Sequence, residues 1–266
     1  MTAFLTYPGS DPELRRKFGL GGAAVIGDLV FLGGMALDLT TLSRQPEAVT
    51  IADELRICLA GILKTLEQAD GTLADIVKVN CYLSDDRYRA AFREAFKEIF
   101  APGPYPKCLT IVAGLAGDCR VEIEVVAVKP PGARATVNPG FFDVDALGRS
   151  MGVAAGGLVF AEAAALDWTT GDRLPEATTL AEETKICLDR LSAALAEAGC
   201  TLDDLVKLNC YLVSDDDRAE FWAALNERLA PGPYPPRITQ VTCLDGAARV
   251  LVDAVAAVPQ ARGTTA

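Results

Sequence analysis

Thr72-Leu73-Ala74-Asp75-Ile76-Val77-Lys78-Val79-Asn80-Cys81-Tyr82-Leu83 returns 129 residues later as Thr201-Leu202-Asp203-Asp204-Leu205-Val206-Lys207-Leu208-Asn209-Cys210-Tyr211-Leu212. In the first copy Val77, Val79, Cys81 and Leu83 alternate with Lys78, Asn80 and Tyr82, the two-residue period of a strand. Outward from this stretch the offset holds. Gly27-Asp28-Leu29-Val30-Phe31 becomes Gly156-Gly157-Leu158-Val159-Phe160, and Ala101-Pro102-Gly103-Pro104-Tyr105-Pro106 becomes Ala230-Pro231-Gly232-Pro233-Tyr234-Pro235. No gap is needed from Gly27 to Val128. The repeat is far longer than the ~20–50 residues of a solenoid unit, so each copy must hold its own core. Two domains are expected, 1–130 and 131–266, joined by the Pro- and Gly-containing stretch Lys129 to Asn138.

Both copies show one order of elements. Residues 28–33 and 157–162 are short apolar runs bounded by small residues, hence buried strands. Leu55, Cys58, Leu59, Ile62, Leu63 and Leu66 mark an amphipathic helix over 50–69, and Leu180, Ile186, Cys187, Leu188, Leu191 and Leu195 its twin over 176–198. Strands at 75–83 and 204–212, helices at 87–99 and 217–229, and closing strand pairs at 108–114 with 120–129 and at 237–243 with 249–258 complete the copies. The order β, α, β, α, β, β predicts an α+β fold with two helices on one face of a mixed sheet.

Composition and absences narrow the chemistry. Half of the 266 residues are apolar, as in a soluble globular protein. No run of about 18 apolar residues suggests a membrane span, and the N-terminal stretch lacks an apolar signal core, so a cytoplasmic location is expected. The chain has no histidine, which removes Ser-His-Asp and Cys-His catalysis and histidine-ligated metals. No glycine-rich phosphate loop is present. The net charge of −11 and the lack of a Lys/Arg cluster argue against a nucleic-acid partner. The eight cysteines form no CxxC or other ligand spacing; Cys58, Cys187, Cys81 and Cys210 read as small buried hydrophobes. No metal and no cofactor are expected.

The Gly-Asp-Leu-Val-Phe strand, the Asp75-Ile76-Val77-Lys78 strand, the Pro-Tyr-Pro-x-Arg segment Pro233 to Arg237 and the closing Val121-Glu122-Ile123-Glu124 strand resemble the Rid family, also called YjgF. The resemblance covers nearly all of both copies. It implies chorismate-mutase-like domains assembled as trimers, with ligand clefts between neighbouring domains. It also implies hydrolysis of enamines and imines derived from amino acids, releasing ammonia and a 2-keto acid without a cofactor. In active members the arginine after the Pro-rich loop binds the substrate carboxylate, a glutamate on the last strand positions or activates water, and backbone groups just after the arginine, here around Thr239, help hold the nitrogen.

Carried over by residue, the pattern survives in part. Arg237 stands at the carboxylate position of the second copy, while the first has Cys108 there, with Lys107 beside it. A gapless count back from Glu122 picks Lys107 and Pro236 instead. Glu122 matches the acid in the first copy, and Leu251 replaces it in the second. Phe18 or Leu20, and Leu147 or Arg149, stand where the family places an aromatic wall. Arg149 is a candidate second anion ligand, against the plainer alternative of a solvated arginine. Gly33 and Gly34 resemble the family's small pair beside the site, and Glu162, at the Gly33 position, can replace the acid missing at Leu251.

Residue chemistry supports these types independently. Arg237 offers a planar fork for a carboxylate, held by a stiff Pro-rich loop; the plain alternative is a surface arginine in an ion pair. Glu122 and Glu124 share a strand face, which alternation alone would turn to solvent. Buried, Glu122 would have a raised pKa and could move a proton. Lys107 lacks the bidentate geometry, and Cys108 has no histidine to activate it. Because Arg237 survives only in the second copy and Glu122 only in the first, one composite cleft can unite them. Three functions follow: a cofactor-independent enamine/imine deaminase, a Rid-fold enzyme diverged to another reaction on a small carboxylate in a specialised biosynthetic pathway, or a non-catalytic small-molecule binding protein. A small imino or keto acid is the expected ligand, and a homotrimer of tandem domains the expected assembly, with neither nucleic acid nor membrane as partner. Older family labels suggest ribonuclease activity, which the charge opposes.

Overall fold

The computed structural model describes residues 2–8 and 11–259; the expected outer domain limits, residues 1 and 266, lie outside them. The chain divides into two compact units, Met1–Arg134 and Ala135–Ala266.

Unit one runs β1 (Thr2–Leu5), α1 (Pro12–Phe18), β2 (Ala23–Ile26), β3 (Leu29–Met35), β4 (Leu37–Asp38), β5 (Ser43–Arg44), α2 (Ile51–Leu66), β6 (Ile76–Leu83), α3 (Arg89–Phe100), β7 (Lys107–Val112) and β8 (Val121–Val128). Its main sheet has the order β1-β2-β3-β8-β6-β7, antiparallel throughout except for the parallel pair β6–β7. α2 packs on β3 and β8, and α3 packs on α2.

Unit two continues with β9 (Arg134–Val137), which starts on the last residue of unit one, then α4 (Val144–Leu147), β10 (Gly152–Ala155), β11 (Leu158–Ala164), α5 (Leu180–Glu197), β12 (Leu205–Leu212), α6 (Arg218–Leu229), β13 (Arg237–Val241) and β14 (Val250–Ala257). Its sheet order, β9-β10-β11-β14-β12-β13, repeats that of unit one, with β12–β13 as the matching parallel pair. Each unit is an α+β layer of helices on a mixed sheet. Even the irregularities repeat, with a register shift between Ile76 and Lys78 and another between Leu205 and Lys207.

One device fixes the strand that carries Glu122. Thr50 caps α2 through a box with Asp53: the Thr50 hydroxyl accepts from the Asp53 amide at 3.1 Å, and the Asp53 carboxylate accepts from the Thr50 amide at 3.0 Å. One residue on, the fully buried Glu54 carboxylate accepts from the amides of Arg120 at 2.6 Å and Val121 at 3.0 Å and from Arg120 Nε at 2.8 Å. A buried charge is tolerable only when satisfied this completely. The clamp locks the start of β8 to α2 and so sets where Glu122 points. Glu183 does the same for Arg249 and Val250 in unit two.

Two expectations change. The order β, α, β, α, β, β omits the strand-helix-strand segment that opens each unit and the β4–β5 hairpin. Thr2-Ala3-Phe4-Leu5 is mostly exposed and does not alternate, so its pairing with β2 is set by the sheet it joins and not by its own pattern. The stretch 129–138, expected as a linker, contributes β9. The polar face of β6 is also not solvated: Lys78 and Asn80 are buried, and Lys78 Nζ reaches Glu124 at 3.3 Å.

Candidate functional site

Unit one holds a cavity of about 800 Å3 beside the Gly33-Gly34 pair of β3, and Glu122 lies on its wall. In the sheet Glu122 sits opposite Met35 of β3 and Tyr82 of β6. It is half-buried, and burial pushes its carboxyl above the usual carboxylate range. Gly34 lets α2 approach β3 closely. A Cβ on Gly34 would lie 2.9 Å from the Cys58 carbonyl oxygen of α2, so no side chain fits there. Glu124, two residues along, is engaged elsewhere by Lys78 Nζ at 3.3 Å and by the Tyr82 hydroxyl at 3.4 Å.

Another part of the lining comes from the chain before β2. Asp11 caps α1 by accepting from the amides of Glu13 at 2.8 Å and Leu14 at 3.4 Å, and Gly19 ends it with φ +66°. The helix presents Arg15, whose guanidinium lies 4.5 Å over the Tyr7 ring and donates to the Gly21 carbonyl. Desolvation lowers the pKa of Arg15 and raises that of Tyr7. Gly61 of α2 makes room for the Tyr7 hydroxyl, which any Cβ there would strike. Glu122, Arg15 and Tyr7 therefore line a single cavity, together with the carboxylates Asp11, Asp38 and Glu47. A guanidinium can fork a carboxylate, and a half-buried carboxyl can move a proton.

Arg15 and Tyr7 were not singled out by sequence. The repeat is matched only from Gly27 onward, and the Arg15 counterpart is Val144. A usable signal was present, since Asp11-Pro12 is a capping residue followed by proline at the first helical position.

The other expected site residues lie elsewhere. Lys107 and Cys108 open β7 at the sheet edge and are buried; Lys107 Nζ donates to Asn80 Oδ1 at 3.4 Å, and neither residue lines the Glu122 cavity. Arg237 and Thr239 belong to unit two. Arg237 is the exposed first residue of edge strand β13, 5.6 Å from the Trp222 ring. The Thr239 hydroxyl accepts from Trp222 Nε1 at 3.2 Å, and its carbonyl from Arg218 at 3.1 Å. Phe18 and Leu20 are both exposed, and of the two Leu20 lines the cavity. Among the described residues no group of three or more Cys, Asp or Glu is placed to hold a metal ion.

At several equivalent positions of unit two the cavity lining carries larger side chains. Leu20, Gly22, Gly33 and Leu39 become Arg149, Met151, Glu162 and Trp168, and Glu122 becomes Leu251. All five replacements are buried. Arg149 donates to Glu162 and is flanked by the rings of Trp168 at 4.7 Å and Phe142 at 5.2 Å. The planar cation is held in its own slot, and Glu162 is its partner.

Buried thiols behave as small hydrophobes. Burial pushes Cys210 up to about 12 and raises Cys58, Cys81 and Cys187. Cys243 is exposed.

Comparison with known proteins agrees with this reading of the fold. The family model described as Endoribonuclease L-PSP matches twice, over residues 21–129 and 150–258. Protein mmf2, mitochondrial, of Schizosaccharomyces pombe is 37% identical over 92 residues, 33% of this chain and 66% of that protein, just under two thirds of its length. A 2-iminobutanoate/2-iminopropanoate deaminase of Dermatophagoides farinae is 28% identical over 107 residues, covering 40% of this chain and 82% of that one. A solved YjgF/YER057c/UK114 family member from Mycobacterium tuberculosis superposes with a TM-score of 0.40 at 27% identity, over 48% of this chain and 99% of that one. With the family model matched once in each unit, the chain belongs to the Endoribonuclease L-PSP family, the Rid (YjgF) group of its sequence resemblance, in a tandem two-domain form.

Proposed function

We propose that this protein is a cofactor-independent hydrolase of enamine or imine intermediates derived from small amino acids, and that it works in the unit-one cavity. The observation that carries the reading is the convergence of Glu122 and Arg15 on that cavity, with the Glu122 carboxyl pushed up by burial. A carboxyl that keeps its proton closer to neutral pH can donate it to the departing nitrogen and accept one from the attacking water. Water adds to the imine carbon, the C–N bond breaks, ammonia leaves and the 2-keto acid remains. Arg15 anchors the substrate carboxylate. The iminobutanoate deaminase relative supports the same chemistry.

The test is ammonia release from freshly generated 2-aminoacrylate by the full chain and two variants. On this reading Arg15→Ala raises KM at least ten-fold, the loss of a charge-assisted fork, and Arg237→Ala leaves it near the parent value. The opposite result would move the anchor to unit two. A homotrimer in the cytoplasm goes with the reading; light scattering that finds a monomer at micromolar concentration removes the trimer.

Cys108, standing where the family carries arginine, favours a second reading. On it, the protein performs a diverged reaction on a small carboxylate or binds one without turnover. Binding of small keto acids without ammonia release would support it.

A further inference from the structure

The charge of the cavity is not that of the unit around it. Unit one carries 17 acidic and 15 basic side chains, a net of −2. The cavity wall alone has Asp11, Asp38, Glu47 and Glu122 against the single cation Arg15, a net of −3. The rest of unit one is therefore slightly positive, and the negative charge is concentrated where a ligand would lie. Asp11, Asp38 and Glu47 outnumber Arg15 even with Glu122 protonated. Asp38 stays ionised because the Thr40 amide donates to its carboxylate at 2.7 Å and lowers its pKa. The acids are spread along the wall and form no group able to close on a metal ion. At about 800 Å3 the space falls in the upper part of the ~300–1,000 Å3 range of small-molecule sites. An imino acid of three or four carbons held by Arg15 fills little of it and leaves the acidic wall without a partner.

We propose that the cavity takes an amino-acid-derived ligand bearing a second, cationic amine at the end of its side chain. The α-carboxylate meets Arg15, and the ammonium meets the acidic wall that includes Asp38 and Glu47. Focusing by a charged, low-dielectric cleft then raises the local concentration of such cations. This inference rests on the reading of the cavity as the substrate site and names its substrate class.

The experiment compares L-lysine with L-norleucine, which has a side chain of nearly the same length without the amine, by calorimetric titration of the full chain. Lysine should bind at least about ten-fold more tightly at low salt, as expected for one cation facing several carboxylates. The preference should shrink as salt rises. Glu47→Gln, checked for an unchanged unfolding temperature, should narrow the gap at least about three-fold. Equal affinities, tighter norleucine, or binding of neither overturns the proposal. Imines made in situ from both amino acids by an amino-acid oxidase separate it from the hydrolase reading. Lysine-selective binding without release of ammonia from either imine removes the hydrolase and keeps the ligand class. Equal binding with equal hydrolysis does the reverse.

Discussion

Arg149→Leu gives unit two the residue that unit one carries at the equivalent position, Leu20, and it strands Glu162. That carboxylate is 1% exposed and meets the Arg149 guanidinium inside a slot walled by Trp168 and Phe142. Removing one partner of a buried pair leaves an uncompensated charge and costs about 3–5 kcal/mol. For a unit of this size each kcal/mol moves the midpoint by roughly 3–5 °C, so unit two should unfold about 10–20 °C earlier. Both tryptophans, Trp168 and Trp222, are in unit two, so intrinsic fluorescence follows that unit selectively. Glu162→Gly alone strands the arginine and should be similarly costly. The double variant removes both charges and should lose clearly less than the sum of the two, because residues in contact are not additive. A shift under about 2 °C for Arg149→Leu, or full additivity in the double variant, would refute the view that these residues form one packed unit.

Three further outcomes follow from the same geometry. Glu54→Ala leaves the amides of Arg120 and Val121 and the Arg120 guanidinium without their acceptor, so it should cost about 3–5 kcal/mol in thermal unfolding. The folded-state value of Glu122 lies above its unfolded one, so its stability contribution is complete below the ordinary carboxylate range and is lost as pH rises through the raised value. Glu122→Gln, which cannot ionise, should therefore unfold at a higher temperature than the parent at about pH 7–8 and at the same temperature below about pH 4. Gly33→Glu copies Glu162 into unit one without supplying its arginine; equilibrium dialysis should show at least a ten-fold loss of ligand affinity, because the side chain occupies the binding space.

The repeat was the legible part of this chain. An offset of 129 residues predicts one domain twice, and the two sheets share strand order, parallel pair and register shift. Strands such as Ile76–Leu83 announce themselves because their apolar residues alternate over eight positions. Thr2–Leu5 and Arg134–Val137 do not, since short edge strands take their conformation from the sheet they join. Within the site, Glu122 and the Gly33-Gly34 pair were visible through the family resemblance. Arg15 and Tyr7 were not, because helix α1 precedes the matched region and its arginine becomes Val144 in the second copy. Residue type alone also misjudged the setting of Arg149. An arginine on a short segment reads as solvated, and only the packing of Glu162, Trp168 and Phe142 around it explains its burial.

The central claim is that Glu122 moves the proton in a unit-one cavity, and its most direct test is the rate of ammonia release from 2-iminobutanoate generated in situ. The parent chain should accelerate release over buffer. Glu122→Gln, isosteric and unable to exchange a proton, should lose at least about 100-fold, the lower range for removing a general acid–base group. Leu251→Ala, at the equivalent position of unit two, should keep the parent rate. A Glu122→Gln variant as fast as the parent, with its fold intact, would contradict the account.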